Sequence, residues 1–590
     1  MVRGQRILFL LSILLAPQVV DGFILPAASI IRRKGPQAAS EIDTPESDYG
    51  SANNEAPRLS WKQTLMDHVQ GFLWPGSLPD ETVDVPLPTG SLGCPFFGSD
   101  SMLSGNRDKG PGFFFREASE ELGHPPVYKF YFLGTPVAAI SGGFLHRKLS
   151  ALEFSHTEAL SPTYNDSPAS SNVKGNDSTI GEVDMVNYDK RESQSRRRPT
   201  VFGGDNLLFE RNREKHAFLR RLVGVGMTGR ALEAALPTLN EIARQRIQSG
   251  LLETTAEQVN MELVCNEYTL DITQNHILGL NLPRDQLEVF RDNVKTWVRA
   301  FYSPLANMDS PWVTRFLPEY HARLYIEDQI QDKVEALLSN GPDAKASVLS
   351  DMVFAVDEDA ESGVSTKTLT REQIVGNALL LIVTGSETSS GTLIFMMFLL
   401  GLHPSAYQQV VQEQRKVQAK FGNEMTMDIL DHHCPYLNSV LKETMRMGPS
   451  TGGFPKRVTQ TMIVEGVQIP KGWSIFSNIR LTHLLDPTTR TAEESHMNVF
   501  RGFRPERWLD EETAPSSDYI PFGTGLRHCI GSKLATLQMQ LFLLQLARNV
   551  ESFDLATDYR DRKVTWNPAT FVPRPLDGAP LRSIQPLSLT

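Results

Sequence analysis

Hydrophobic residues recur with helical spacing along most of the chain after its first third. The longest such pattern covers 371–402 and is apolar nearly all round at its centre, which predicts a helix buried in the middle of a large domain. Shorter helical patterns cover 205–324, 405–420, 435–447 and 530–548. Runs with strand character cover 127–132, 137–140 and a β-rich patch over 458–476. The pattern predicts a mainly α fold with a small β domain.

The composition is that of an ordinary globular protein rather than of a fibrous, polytopic membrane or wholly disordered chain. Of its 590 residues, 40% are hydrophobic and 22% are charged, so a sizeable core is available. Lys and Arg total 58 against 69 Asp and Glu, and this net charge of -11 makes the chain a poor binder of nucleic acid. The four cysteines lie far apart without CxxC spacing: Cys94, Cys265, Cys434 and Cys529. We therefore expect neither a disulfide scaffold nor structural zinc.

The first 54 residues have the features of targeting signals. Two arginines precede an apolar run over 7–16, which is too short to span a bilayer and predicts a signal peptide over 1–22. The segment 23–54 is transit-like and basic, free of acids until Glu41, and ends as a polar linker. Together they resemble the bipartite presequences of algae with secondary plastids, which indicates a plastid location. The alternative is a signal anchor in the endoplasmic reticulum membrane.

Two further segments set the expected domain boundaries. Residues 55–84 are expected to be a linker or an amphipathic segment with enough aromatic residues to lie on a membrane surface. The domain itself is predicted over 85–590. Within it, 156–198 is rich in Ser, Asn, Asp and Thr and nearly free of large apolar residues, so we expect a disordered surface insertion there.

The segment from Phe522 to Gly531, FGTGLRHCIG, contains the residue types that hold a haem iron through sulfur. A cysteine thiolate is a natural axial ligand of haem. Cys529 precedes an apolar helix, whose free N–H groups are expected to lower the pKa of the thiol. Arg527 can bind a propionate bidentately, and Phe522 would shield the sulfur from water. The glycines permit turns of positive φ and a close approach of the backbone to a flat macrocycle: Gly523, Gly525 and Gly531.

This segment resembles the haem-binding loop of the cytochrome P-450 superfamily. Three further motifs lie before it in the chain, in the same order as in that family. Glu443 and Arg446 form an E-x-x-R pair on one face of a helix. The sequence FRPERW over 503–508 is similar to the meander element of the family. The resemblance implies that Arg507 joins Glu443 and Arg446 in a buried network behind the haem. It also implies the cytochrome P-450 fold and one haem b whose iron is bound by Cys529.

The third motif is the polar interruption of the long apolar helix, which is similar to the oxygen-activation motif of the same family. Gly385, Glu387 and Thr388 match [AG]-G-x-[DE]-T, whereas Thr384 stands where alanine is commonest. Buried polar groups are costly unless they have partners. The resemblance implies that two residues are catalytic, with the Thr388 hydroxyl hydrogen-bonding at the oxygen site and Glu387 relaying protons inward.

Three segments are most similar to the branch of the superfamily that contains retinoic-acid and bacterial retinoid hydroxylases: PTGSLGCPFFG, LFERNREKHAFLRRLVG and GGFPKRVTQTMIVEGVQIPKGW. In that pattern His216 and Arg220, one helical turn apart, would face a haem propionate. A cation near the β-rich patch usually contacts the other propionate. Both Lys456 and Arg457 are candidates for that position.

The resemblance implies a haem-thiolate monooxygenase acting on an apolar, isoprenoid substrate such as a carotenoid, retinoid or sterol. The sequence has no evident flavin or ferredoxin domain, so a separate protein is expected to donate electrons: ferredoxin in a plastid, or a flavoprotein reductase at the endoplasmic reticulum. Two other functions stay open, a haem-thiolate isomerase or dehydratase of hydroperoxides and a non-enzymatic haem sensor. The acid–alcohol pair Glu387 and Thr388 and the uninterrupted cysteine loop favour the monooxygenase.

Overall fold

Helices form most of the protein and surround one long central helix. The structure is a computed structural model. It describes residues 69–93, 106–110, 112–132, 135–159, 205–302, 311–342, 346–357, 368–489, 497–515, 518–559, 561, 563–567 and 572–587. The α-helices, in chain order, are α1 Asn106–Lys109, α2 Phe113–Glu121, α3 Gly143–Ala151, α4 Arg213–Val223, α5 Gly229–Ile247, α6 Met261–Ile272, α7 Arg284–Val298, α8 Pro311–Thr314, α9 Pro318–Asn340, α10 Val348–Phe354, α11 Arg371–Leu402, α12 Pro404–Phe421, α13 Met427–His432, α14 Pro435–Met447, α15 Ile479–Leu485 and α16 Ser532–Asn549.

The strands of the described residues form one mixed sheet and two smaller sheets of two strands each. Their bounds are β1 Val127–Phe132, β2 Thr135–Ile140, β3 Thr157–Ala159, β4 Gly453–Val458, β5 Met462–Val464, β6 Val467–Ile469, β7 Ser474–Asn478, β8 Val550–Leu555 and β9 Leu581–Pro586. The sheet has the order β1-β2-β7-β4-β3, and β2 with β7 is its parallel pair. The pairs β5-β6 and β8-β9 are separate two-stranded antiparallel sheets. The predicted mainly α fold with a small β domain is confirmed.

The central helix α11 begins and ends at the residues that the sequence pattern indicated. A capping box starts it, in which Thr370 and Gln373 each satisfy a backbone N–H of the other. It packs against α6, α9, α14 and α16, so almost every apolar side chain along it is buried. Among the described residues, α11 is also the one helix long and apolar enough to cross a bilayer, but 72% of its most apolar window is buried in the protein. It is therefore the core helix of the domain.

The structure describes parts of two of the predicted segments. Of the expected linker or amphipathic segment 55–84 it describes 69–84, which packs on the β-rich part of the protein: Trp473 Nε1 donates to the Gly76 carbonyl over 2.9 Å, and the Asp80 N–H donates to Gln468 over 2.8 Å. The expected disordered insertion does not begin at 156, because Thr157–Ala159 forms strand β3 against β4. Short polar residues such as Thr157 take part in a sheet when their backbone has a partner strand. The rest of the insertion and the presequence lie outside the described residues.

A buried ion network joins α14 to the segment Pro505–Leu509, which forms a 3-10 helix. The Glu443 side chain is 0% exposed and accepts bonds from Arg446 Nε over 2.8 Å, Arg507 Nε over 3.0 Å and Trp508 Nε1 over 3.0 Å. The Arg504 N–H also donates to it, over 3.1 Å. Burial alone would raise the pKa of Glu443, but the charges of Arg446 and Arg507 outweigh it and hold the pKa below its ordinary value. The structure thus brings the E-x-x-R pair and the meander arginine together as predicted.

Candidate active site

The cysteine loop is a tight turn that leads into α16. The Cys529 N–H donates to the Phe522 carbonyl over 2.9 Å, which closes the loop, and the Phe522 side chain packs against the core. Gly523 and Gly525 have φ of 74° and 68°, in the left-handed region that favours glycine. A Cβ at Gly525 would also lie 2.4 Å from the Ser150 Cβ. Gly531 differs from the expectation, since its φ of -86° suits any residue.

Cys529 is exposed, whereas the other two cysteines in the described part of the chain, Cys265 and Cys434, are buried. Protein atoms nevertheless crowd the Cys529 thiol, and their desolvation raises its pKa above the ordinary value. The Gly531 N–H and the charge of Arg220 lower it by less. The lowering expected from the helix N-terminus is therefore present through the Gly531 N–H, but desolvation of the free thiol is the larger effect. Coordination to a metal deprotonates a thiol outright, so a bound iron would supply what the helix does not.

A buried carboxylate, Glu153, lies beside the loop and is contacted by two cations. Its Oε1 accepts from Arg527 Nε over 2.6 Å and its Oε2 accepts from Lys456 Nζ over 2.6 Å. Arg527 Nη1 also donates to the Leu208 carbonyl over 2.9 Å. Successive side chains of a strand point to opposite faces, so Arg457, the neighbour of Lys456 on β4, lies on the other face of the sheet. Of the two candidate cations, the structure brings Lys456 to the cysteine loop.

The two predicted residues of α4 lie at the same place. His216 is buried, and its ring centroid is 5.1 Å from that of Phe154. Burial, together with the charges of Arg527 and Arg220, lowers the pKa of His216 to about 4, so the ring is neutral at pH 7. Arg220 lies close enough to Cys529 to act on the pKa of its thiol. The structure therefore brings His216 and Arg220 close to Arg527 of the cysteine loop, which Glu153 joins to Lys456.

The polar stretch of α11 is less buried than the rest of the helix. Thr384 is exposed and Gly385 is half-buried, although the helix on both sides of them is buried. The Thr388 hydroxyl donates to the Thr384 carbonyl over 2.6 Å, and the Thr384 hydroxyl donates to the Leu380 carbonyl over 2.7 Å. Such bonds to the carbonyl four residues back satisfy hydroxyls inside a helix. A hydroxyl held in this way can also accept a hydrogen bond from a bound group.

The carboxylate of the oxygen-activation motif has a partner that sequence reasoning missed. Arg574 is buried, and its Nη2 donates to Glu387 Oε2 over 3.1 Å and to the Glu387 carbonyl over 3.2 Å. Its Nη1 donates to Glu262 over 3.4 Å. A charged residue between two prolines in the apolar run FVPRPL was a signal that could have marked Arg574. Glu153, a lone acid in SALEF, was the corresponding signal beside the cysteine loop.

The residues present fit a haem. In the described part of the chain no group of three or more His, Cys, Asp or Glu residues is placed to hold a metal ion, and a haem iron requires only one such protein ligand. Cys529 is an exposed thiol at the start of a long helix, and cations that suit carboxylates lie at its loop, where Arg527 is joined through Glu153 to Lys456. A haem bound here would supply O₂ activation, with Cys529 holding its iron and the cations holding its propionates.

Fold and site together define a haem-thiolate protein. The sequence model of the cytochrome P450 family matches residues 184–575, and the chain belongs to that family. It is 24% identical to "Cytochrome P450 26B1" of Danio rerio over 81% of this chain and 83% of that protein. It is 26% identical to "Putative cytochrome P450 120" of Synechocystis sp. over 81% of this chain and 92% of that protein.

The solved structures agree on the fold. A "Retinoic acid bound cyanobacterial CYP120A1" superposes with a TM-score of 0.64 at 23% identity, covering 85% of this chain and 100% of that one. The "cytochrome P450DA heme domain" superposes with a TM-score of 0.65 at 17% identity, covering 85% of this chain and 98% of that one. The chain is therefore a P450 monooxygenase that binds haem and takes electrons from a redox partner, as the motifs predicted, and the resemblance to the retinoid-hydroxylase branch is confirmed.

Proposed function

We propose that this P450 oxidises an apolar isoprenoid, and that a retinoid-like polyene is the substrate class. The observation that carries the proposal is the likeness to the P450 26B1 and P450 120 relatives over 81% of the chain. It agrees with the fold shared with a neighbour described as retinoic acid bound. Hydroxylation or epoxidation of such a molecule adds one oxygen atom from O₂, while the second becomes water with two electrons and two protons from outside the substrate.

The surroundings of Gly385 on α11 are consistent with an apolar substrate. The nearest atom to a Cβ at this position would be the Ile277 methyl, 3.3 Å away. An apolar substrate gains free energy mainly by leaving water, at about 25 cal/mol per Å² of buried apolar area. The hydroxyls of Thr384 and Thr388 are polar groups of the same stretch of helix.

The electron donor follows from the location, which we propose to be the plastid. The presequence over 1–54 supports this, because its signal-like and transit-like parts occur in series. Ferredoxin would then donate the electrons. In the alternative location, the endoplasmic reticulum membrane, a flavoprotein reductase would do so.

The test is a binding and turnover experiment on the haem-loaded full chain. A retinoid, a carotenoid and a sterol are titrated while the haem absorption is recorded, with a saturated fatty acid of similar length as the control. We expect a retinoid or carotenoid to shift the haem absorption band at micromolar concentration and the fatty acid to leave it unchanged. Turnover is then measured with ferredoxin and ferredoxin reductase, and separately with a flavoprotein reductase.

The outcomes separate the proposals. A spectral shift with the fatty acid and with none of the isoprenoids would overturn the substrate class. Product formed with the flavoprotein reductase and not with ferredoxin would overturn the plastid assignment. Neither outcome affects membership of the family, which rests on the sequence and the fold.

A further inference from the structure

Glu153 is a buried acid that no family motif marks. It follows the end of α3, and its side chain is 1% exposed. Both carboxylate oxygens are used: one by Arg527 Nε and one by Lys456 Nζ, each over 2.6 Å. The Thr157 hydroxyl lies 3.4 Å from the second oxygen. One carboxylate thus links the cysteine loop, through Arg527, to strand β4, through Lys456.

The backbone next to Glu153 is strained. Phe154, the next residue, has a φ of 69°, which is an outlier for an aromatic residue. In this conformation the Phe154 ring lies 4.8 Å from the Arg527 guanidinium. Its N–H donates to the Thr157 carbonyl over 2.9 Å, which holds the turn. Glu153 and Phe154 therefore both contact the Arg527 guanidinium, Glu153 through its charge and Phe154 through its ring.

The charges at this place do not cancel. Arg527 and Lys456 carry one positive charge each and Glu153 carries one negative charge, so the cluster has a net charge of about +1. Burial alone would raise the pKa of Glu153, but Lys456 and Arg527 outweigh it and hold the pKa below its ordinary value, so the carboxylate is ionised at pH 7. Without Glu153, two largely buried cations would lie close together with no acid between them.

We propose that Glu153 is a positioning residue for the haem. It orients Arg527 and Lys456 as the cation pair that receives haem propionates, and it keeps the positive charge at that edge of the site at about one rather than two. A fixed negative charge near an iron disfavours the addition of an electron. Glu153 therefore holds the reduction potential of the haem iron lower than the two cations alone would set it. The inference rests on the haem-thiolate site and holds for any substrate.

The test is the midpoint potential of the haem iron in the haem-loaded full chain, measured by spectroelectrochemical titration. Glu153→Gln keeps the shape of the side chain and removes its charge, and we expect the potential to shift in the positive direction. Lys456→Gln removes a positive charge, and we expect a shift in the negative direction. The double variant restores the original net charge, and its potential should return close to that of the wild type. A purely structural role would make the double variant at least as abnormal as either single variant.

Glu158→Gln is the matched control. Glu158 lies on strand β3, five residues after Glu153, and its carboxylate pairs with Arg211 over 3.5 Å. Its replacement by Gln removes the same charge as the replacement of Glu153. We expect its potential to change less than that of Glu153→Gln. An unchanged potential in haem-loaded Glu153→Gln, an equal shift in Glu158→Gln, or a double variant that does not return would each overturn the proposal. If Glu153→Gln does not load haem, the double variant is compared with Lys456→Gln, because the proposal requires the potential of the double variant to lie on the positive side of that of Lys456→Gln.

Discussion

Glu443→Gln is expected to destabilise the protein by about 3–5 kcal/mol and to reduce haem loading strongly, since it leaves two buried arginines without their shared anion. Arg446 is 1% exposed and Arg507 9% exposed in their side chains, so water cannot replace the lost carboxylate. An amide also accepts through one oxygen, whereas both Glu443 oxygens are used. The measurement is urea denaturation of the purified protein, with the haem-to-protein ratio recorded in parallel.

The same substitution at an exposed ion pair is the control. Glu551 accepts a bond from Arg415, whose side chain is 50% exposed, and Glu551→Gln should cost no more than about 1 kcal/mol. Equal stabilities for the Glu443 and Glu551 variants would contradict a stabilising role of the network.

The stability that the Glu443 network contributes is also expected to depend on pH. The pKa of Glu443 is lowered in the fold, so its stabilisation is present above the ordinary glutamate pKa and is lost as the pH falls through the folded value.

Thr388→Ala is expected to separate electron use from product formation. The variant lacks the hydroxyl that donates to the Thr384 carbonyl, and with it a group that can hold a proton on this part of α11. General acid–base groups contribute about 10²–10⁴-fold to rates, so product formation should fall on the order of 10²-fold. Electron consumption should change much less, because each O₂ can instead take two electrons and two protons to leave as hydrogen peroxide. Donor oxidation, peroxide and product are measured in one reaction, with the isoprenoid that gives the largest binding shift.

Thr392→Ala is the matched control for this variant. Thr392 lies one turn further along α11 and makes the same kind of bond, to the Thr388 carbonyl over 2.9 Å, outside the motif. It should retain the product yield per electron of the wild type, apart from a loss of stability. Retention of that yield by Thr388→Ala would remove this residue from the catalytic assignment.

The fold was predictable from the sequence where the pattern of hydrophobic residues is strong. The bounds of the helix at 371–402 follow from its continuous apolar face and its capping box, which are both local. The strand Thr157–Ala159 was missed because its partner β4 lies some 300 residues further along the chain. A three-residue polar strand carries no local pattern that distinguishes it from the insertion behind it.

A motif names candidate site residues, whereas the partners of those residues come from distant segments. The motifs name Cys529 and Thr388, but the acid that links Arg527 to Lys456 and the arginine that holds Glu387 are far from them in the chain. The net direction of the Cys529 pKa was not predictable for a related reason. The helix N-terminus is visible in the sequence, whereas the crowding that desolvates the thiol depends on tertiary packing.

The central claim is that Cys529 binds the haem iron, and the reduced, carbon-monoxide-bound absorption spectrum tests it most directly. The spectrum is recorded for the wild type, for Cys529→Ala and for Cys434→Ala, which removes a buried cysteine elsewhere in the fold. The account predicts the long-wavelength Soret band of thiolate ligation in the wild type and in Cys434→Ala, and its loss in Cys529→Ala. A thiolate-type band that persists in Cys529→Ala, or a histidine-type band in the wild type, would contradict it.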